Sequence, residues 1–489
     1  MPSAELSKLR RELGRLDTVL FLISAMVVVD TIGAVAIGGA QALTWLLVLF
    51  AAFFIPSALA TAELGAALPE EGGPYVWVRA AFGRFAGSIT SLLYWAGTPT
   101  WLGGSLTVVA IAVWQGFVTG LTAGSLFVFA AAFVGLATLV SVLPLRWGKW
   151  VPSSGAIGQI ALLTFFTVSV VIYGHANGIH GIAVTDLRPS ALVFISVAPV
   201  LLYSFVGIEL PSSAAGEMRD PRRDIPAAVG RAGVAQLLMY AVPILAVLVV
   251  LPVGAVTSLH GLVDAMRTVF TVYGGSVTAD GSTTLTGAGR VIGTVSAVVF
   301  LWVLLASGAT WIMGSSRVQA AACLDGAGPV ALGRISARTG VPVRLALLSG
   351  AVSLLVAGIN LLATSGDGQR YFSAALTVGI AAVLLAYLVI YPAFVALRLR
   401  LPGIERPFRV PGGTPTALAV SAACTLWCLL AVLSLLWPGL GTARPDDALP
   451  PGFAGDRAGF EALVLGPVGA LLALCVALAA LGRRPAPPL

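Results

Sequence analysis

Long apolar runs recur along the whole chain and are separated by short polar segments. Each run is about 20 residues or longer, which is the length that a helix needs to cross a hydrocarbon layer of about 30 Å. The pattern predicts twelve membrane-spanning helices, here called spans 1 to 12, near residues 19–40, 42–66, 86–114, 123–143, 152–173, 191–215, 227–251, 291–315, 343–363, 371–397, 416–437 and 460–481. Apolar residues at helical spacing between 259 and 273 predict a short helix outside the spans, with a solvated loop as the alternative, and the glycine-rich stretch 274–289 predicts a flexible segment.

The composition excludes a soluble protein. Hydrophobic residues make up 58% of the 489 residues and charged residues only 10%, whereas soluble domains carry about 25% charged residues. The four cysteines and three histidines form no pattern that suggests disulfides or a metal centre. We therefore expect a membrane protein that is not an enzyme and needs no cofactor and no metal.

The basic residues predict the orientation. When the loops are assigned alternately to the two sides, 22 of the 28 lysines and arginines fall on the side that carries both termini. Basic loops stay in the cytoplasm, so both termini are predicted to be cytoplasmic. The net charge of +7 is explained by this bias and by contact with lipid, without a nucleic-acid partner. The use of 26 arginines against two lysines suggests a bacterial plasma membrane.

Two acids lie inside apolar spans. Asp30 in span 1 is followed by Thr31-Ile-Gly-Ala34, and Glu209 in span 6 lies between Gly207 and Pro211. A carboxylate in hydrocarbon is costly and usually faces a functional cavity. Polar breaks in corresponding spans of two halves are typical of the midplane site of a secondary transporter. With five spans in each half the two halves run in opposite directions, so the repeat is inverted.

Two long motifs resemble one family. The stretch from Tyr203 through Glu209 and Glu217 to Pro226 resembles span 6 and the following loop of amino acid–polyamine–organocation (APC) transporters, and Thr61 to Gly83 is similar to the exit of span 2 in that family. A softer match runs from Trp311 through Asp325 to Pro342. The resemblance covers about residues 19–410.

The resemblance implies an all-α membrane protein with twelve transmembrane helices. It has the 5+5 inverted repeat of the LeuT/APC-type fold and two peripheral helices. The predicted organisation is a cytoplasmic segment 1–18, repeats 19–173 and 191–397, peripheral helices 416–481 and a cytoplasmic tail 482–489. The implied substrate-binding residues are Asp30, Thr31, Ile32, Gly33, Ala34, Tyr203, Ser204, Phe205, Gly207, Glu209 and Trp311.

The implied function is a permease for amino acids or related amines. The family usually has small residues at the first break, and Asp30 departs from that pattern, which favours a cationic amine or a protonatable coupling site. We predict proton coupling at Asp30 and Glu209. The hydroxyls of Ser315 and Ser316 are weaker sodium-site candidates, since such hydroxyls commonly bond the carbonyl four residues earlier. Some proton-coupled relatives carry a lysine in span 5, but residues 152–173 contain no lysine or arginine.

Other functions stay open at this stage. Within transport, the alternatives are a polyamine or cationic amine importer and an amino acid or amine exchanger. Outside secondary transport, a channel and a non-transporting ligand sensor or partner subunit fit the same span pattern. The sequence leaves the substrate, the driving ion, the direction of transport and the oligomeric state open.

Overall fold

A computed structural model describes residues 13–251, 256–257, 259–278, 281–364 and 367–482. The first twelve residues of the predicted N-terminal segment and the tail from residue 483 lie outside the described residues. Within these described ranges, eleven long apolar helical segments and one shorter helix occupy the positions of the twelve predicted spans. In order they are Arg15–Ala36, Ala40–Ala67, Arg84–Phe117, Ala123–Ser141, Trp150–Asn177, Ala191–Ser204, Pro221–Val250, Gly287–Leu324, Val343–Ala363, Gly368–Arg400, Gly413–Leu436 and Arg457–Leu481.

Span 1 is interrupted, as predicted. Its first helix ends at Met26, a 3₁₀ turn covers Val29–Thr31, and a short helix covers Ile32–Ala36. The unwound residues are Val27 and Val28. The break therefore begins earlier than the predicted stretch Asp30–Ala34, whose last three residues are helical.

Span 6 is interrupted in the same way. Its outer helix ends at Ser204, and a 3₁₀ segment covers Leu210–Glu217 after a stretch of turns. Gly207 lies in these turns with φ 101°, a backbone conformation that other residues rarely adopt. Span 1 runs from the side of the chain ends and span 6 runs towards it, so the two breaks lie on antiparallel segments.

The described chain ends lie on one side of the bundle. Leu13 forms a backbone bridge with Met218 after span 6, and Gly482 lies beside Gly326 after span 8. We call this the inner side, which the arginine distribution predicts to be cytoplasmic, and the opposite side the outer side. Short helices at the inner side cover Gly73–Phe82, Leu145–Gly148 and Val330–Gly333.

The predicted helix on the outer side is present between spans 7 and 8. It runs over Gly261–Phe270, continues as a 3₁₀ turn over Thr271–Tyr273, and packs on the outer helix of span 1. The glycine-rich stretch that follows contains regular structure in its described part, and its flexibility stays a prediction. Strands β1 (Gly275–Val277) and β2 (Thr283–Leu285) form an antiparallel hairpin, in which Gly275 pairs with Leu285 and Val277 with Thr283.

Spans 1, 3, 8 and 10 form the interior. In the most apolar window of span 3, 94% of the residues are buried, compared with 17% in span 12. Span 12 is therefore peripheral, while span 11 packs on spans 2, 6 and 10. Span 8 reaches Leu324, well beyond the predicted end at residue 315. Hydropathy ends the span before Arg317, but the helix continues because buried acids pair with that arginine.

Candidate functional site

The break in span 1 presents four consecutive backbone carbonyl groups to side chains of other spans, and the last of them, that of Val28, also accepts the amide N–H of Thr31 at 3.0 Å. In a membrane interior such groups need partners from the protein. Four side chains from three other spans donate to them: Trp311 to Ala25 at 2.9 Å, Gln236 to Met26 at 3.0 Å, Gln159 to Val27 at 2.6 Å and Tyr240 to Val28 at 3.0 Å. The unwound segment is thus held in a defined shape by spans 5, 7 and 8.

Asp30 lies just after this segment and is 3% exposed. The indole N–H of Trp101 in span 3 donates to Oδ2 of Asp30 at 3.0 Å. The other carboxylate oxygen, Oδ1, is buried and has no hydrogen-bond partner among the described residues. Buried polar atoms rarely stay unpaired. The free oxygen is therefore a candidate contact for a proton or a cationic group.

Hydroxyl groups join the two breaks directly. Thr31 lies 3.0 Å from the hydroxyl of Tyr240 and 3.3 Å from Oγ of Ser204, the last residue of the outer helix of span 6. Gln236 also donates to the carbonyl oxygen of Ser204. The structure therefore brings the predicted residues Thr31 and Ser204 into one cluster.

Glu209 is held at the second break by two tyrosines. The hydroxyls of Tyr94 in span 3 and Tyr387 in span 10 each donate to one carboxylate oxygen of Glu209, which is 1% exposed. The hydroxyl oxygen of Tyr387 also accepts a hydrogen bond of 3.3 Å from the amide N–H of Gly207. Both oxygens of this acid are thus satisfied by neutral donors.

An aromatic wall connects the partners of the two acids. The ring of Trp311 lies 6.0 Å from that of Tyr94 and 6.3 Å from that of Trp101, measured between centroids. A Cβ atom at Gly207 would approach Cζ2 of Trp311 to 3.0 Å. Glycine is therefore required at this position both for its positive φ and for the close approach of the indole.

The other predicted residues have different surroundings. Phe205 packs against Phe54 and Phe50 of span 2, at centroid distances of 5.4 and 6.0 Å, and so belongs to an aromatic cluster with span 2. The remaining four are buried, with Ile32 and Tyr203 in the main core, Gly33 beneath the outer helix at Gly261, and Ala34 at the base of an outer cleft.

The sodium-site candidates lie near the inner end of span 8. Oγ of Ser315 donates to the carbonyl of Trp311 at 2.7 Å. This bond to the carbonyl four residues earlier is the alternative to a sodium ligand that the sequence left open. Ser316 is buried and its hydroxyl has no partner among the described residues. Over the described ranges, no group of three or more histidine, cysteine, aspartate or glutamate side chains could hold a metal ion.

A buried ionic cluster lies at the inner side of the bundle. Arg317 of span 8 lies 2.9 Å from Glu217 at the end of span 6 and 3.5 Å from Glu71 between spans 2 and 3. Glu71 also accepts the amide N–H of Gly216 at 3.0 Å. Burial, reinforced by Glu217, raises the pKa of Glu71 above its ordinary value, and Arg317 offsets this only in part. The cluster ties three elements together on this side.

Sequence reasoning missed several residues of this site: Tyr94, Trp101, Gln159, Gln236, Tyr240 and Tyr387. Two of them carried a usable signal, because Gln159 and Gln236 are isolated amides within apolar spans and such groups commonly face a bundle interior. The aromatic residues gave no such signal, since tyrosine and tryptophan also occur at membrane surfaces.

Comparisons with known proteins give the family. A sequence profile described as amino acid permease matches residues 13–447. The chain is 26% identical over 400 residues to a probable agmatine/putrescine antiporter of Lactococcus lactis, covering 81% of this chain and 82% of the relative. It is 25% identical over 426 residues to the L-asparagine permease of Streptomyces coelicolor, covering 85% and 81%.

A solved structure shares the fold. A mutant of the manganese transporter of Eremococcus coleocola matches with a TM-score of 0.60 and 12% identity, over 95% of this chain and 94% of that one. This likeness shows the fold alone. The profile match, which spans most of the chain, shows that the protein belongs to the amino acid permease family of membrane transporters.

Proposed function

We propose that the protein is a secondary active transporter that moves amino acids or related amines by alternating access and is coupled to protons. The observation that carries this proposal is the placement of Asp30 and Glu209 at the breaks of two antiparallel spans, where each accepts hydrogen bonds from neutral donors. We further propose that the protein lies in the plasma membrane with both termini in the cytoplasm.

Neutral partners leave both acids chemically available. The described hydrogen-bond donors to them are an indole and two phenols, not lysine or arginine. A proton or an ammonium group can therefore reach either carboxylate without breaking an ion pair. The aromatic wall offers ring faces for a cation, each worth about 0.5–2 kcal/mol.

Alternating access requires the inner cluster to separate. Arg317 and Glu217 join span 8 to the end of broken span 6, so opening towards the inner side must break this contact. Closing it again restores a buried pair and covers the site. The breaks in spans 1 and 6 supply the points at which the half-helices can pivot.

A second candidate is exchange of amines or polyamines. Asp30 favours it, because an acid beside the first break suits an ammonium or guanidinium group better than a carboxylate. The antiporter relative from Lactococcus lactis supports the same substrate class. So does a polyamine transporter of Oryza sativa, 31% identical over 232 residues that cover 44% of this chain and 40% of the relative.

Flux in proteoliposomes tests these proposals. Purified protein should take up labelled agmatine, putrescine or asparagine saturably, and an imposed pH gradient should drive the uptake. Under exchange, uptake should instead require an amine inside the vesicles. Thermal stabilisation by a ligand without flux above empty liposomes would mean a sensor and would refute transport.

Two variants test the roles of the acids. Asp30→Asn and Glu209→Gln should abolish or uncouple uptake while the folded protein stays in the membrane. The control is Glu70→Gln, which changes an exposed glutamate at the inner side and should leave uptake unchanged. An Asp30→Asn protein with the normal rate and pH dependence would refute the coupling role of Asp30.

A further inference from the structure

A cleft of about 360 Å³ opens on the outer side of the bundle. Its walls come from the outer parts of spans 1, 6 and 10, the end of span 11 and the loop that follows it. Oγ of Ser373 in span 10 donates to the carbonyl of Pro451 at 2.6 Å, which fixes the loop against the span. The cleft is thus a formed feature of packed elements.

The base of the cleft adjoins the helix breaks. Ala34 lines it and lies four residues after Asp30 in the outer helix of span 1. Val200 also lines it, one helical turn before Ser204. Ser204 is the residue that contacts Thr31 at 3.3 Å. A ligand in the cleft would therefore lie against the two half-helices that carry the candidate site.

The polar groups of the cleft suit a cation. Pro199 interrupts the backbone hydrogen bonding of span 6 and leaves the carbonyl of Ile195 without its usual helical donor. Ser196 presents an exposed hydroxyl, and Asp447 lies at the rim. Asp447 is the charged member of the described lining, in which no residue is basic. The rest of the lining is mainly apolar.

We propose that this cleft is an outer docking site for an organic cation with an apolar body, such as a protonated amine or guanidine, on its way to the helix breaks. This inference rests on the proposed transport function. The acid at the rim attracts the charged group, the carbonyl of Ile195 and the hydroxyl of Ser196 accept its hydrogen bonds, and the apolar walls cover its carbon chain. Asp447 also disfavours an anionic lipid headgroup at the same place.

Thiol labelling gives a direct test, because the four natural cysteines, Cys323, Cys424, Cys428 and Cys475, are all buried. Ser196→Cys places an accessible thiol in the cleft, and Thr185→Cys places a matched one on an exposed outer loop. A trimethylammonium thiol reagent is added from outside, with and without agmatine. Uptake by the unlabelled Ser196→Cys protein shows that the variant is folded before the label is added.

Agmatine should slow labelling of Ser196→Cys about tenfold at a concentration ten times its dissociation constant. Labelling should also abolish uptake by that variant. Thr185→Cys should react at the same rate with and without agmatine and keep its uptake. Labelling of Ser196→Cys that agmatine does not slow, in a protein that still transports it, would overturn the proposal and indicate a lipid-filled groove.

The charge at the rim has its own test. Asp447→Asn should raise the external half-saturation concentration of agmatine about two- to fivefold, as expected for one exposed charge, with an unchanged maximal rate. An unchanged half-saturation concentration would overturn the role of Asp447. Absence of uptake by the unaltered protein would instead refute the transport function, so the two failures are distinguishable.

Discussion

The indole nitrogen of Trp101 lies 3.0 Å from Oδ2 of Asp30 and connects span 3 to the broken part of span 1. Span 3 is the most completely buried of the long spans. It also carries Tyr94, which holds Glu209. A single helix, Arg84–Trp101, therefore contacts both acids of the candidate site.

Replacing the indole tests this relationship. Trp101→Phe keeps an aromatic ring but removes the donor to Asp30. Hydrogen bonds to charged groups are worth about 1.5–3 kcal/mol, so uptake should fall about tenfold or more. The control is Trp302→Phe, on the exposed side of span 8. It removes a hydrogen bond of 3.2 Å from the indole N–H of Trp302 to Oγ of Ser154. Full uptake by Trp101→Phe would contradict the assigned contact.

The two tyrosines should act on Glu209 together. Tyr94→Phe and Tyr387→Phe should each lower the free energy of unfolding by about 1.5–3 kcal/mol and reduce uptake. Because both donate to one carboxylate, the double variant should depart from additivity by about 0.5–3 kcal/mol. Thermal unfolding in detergent measures these effects. Tyr173→Phe, on the half-buried part of span 5, is the control, and strictly additive effects would argue against a shared acid.

Arg317 should be the costliest single residue of the inner cluster to remove. Arg317→Met leaves Glu71 and Glu217 buried without the guanidinium, which should cost about 3–5 kcal/mol of stability. Adding Glu71→Gln and Glu217→Gln should recover part of this loss. Arg231→Met, at an exposed position of span 7, should change stability by about 0.5 kcal/mol or less. A similar small effect at Arg317 would contradict the cluster.

Glu71 should make stability depend on pH. Burial and Glu217 raise the pKa of its carboxyl group in the folded protein. The folded protein therefore binds the proton of Glu71 more tightly than the unfolded chain does. The contribution of this proton to stability is fully present at a pH below the pKa of Glu71 in the unfolded chain. It is lost as the pH rises through the pKa of Glu71 in the folded protein.

Melting curves between about pH 4 and pH 9 check this sign. The unaltered protein and Glu70→Gln should lose stability as the pH rises, and Glu71→Gln should lose less. If the melting temperature changes with pH at the same slope in all three proteins, the pKa of Glu71 is not raised in the folded protein.

The positive φ of Gly207 should make its substitution harmful. Gly207→Ala places a methyl group 3.0 Å from Trp311 and forces alanine into φ 101°. Backbone strain of this kind costs about 1–3 kcal/mol, and a shifted indole should reduce uptake. Gly230→Ala in span 7 meets no neighbour within 4 Å and should be neutral or slightly stabilising. Equal uptake by both variants would show that the break tolerates a side chain.

The sequence by itself determined the spans and the two weak points. Apolar run length decides which segments can lie in a membrane, and this information is local. The glycine at position 207 and the acids at positions 30 and 209 mark where a continuous helix is unfavourable, which is again a property of neighbouring residues. The family motifs added the expectation of an inverted repeat, and the profile match shows the family.

Only the tertiary structure decided what satisfies those weak points. The donors to Asp30 and Glu209 lie 71, 115 and 178 residues away along the chain, and no local pattern links them to the acids. The extension of span 8 past Arg317 has the same cause, because a charge can remain inside a helix bundle only when distant residues pair with it. Packing between helices makes these pairings, whereas hydropathy reports only the tendency of each segment to be buried.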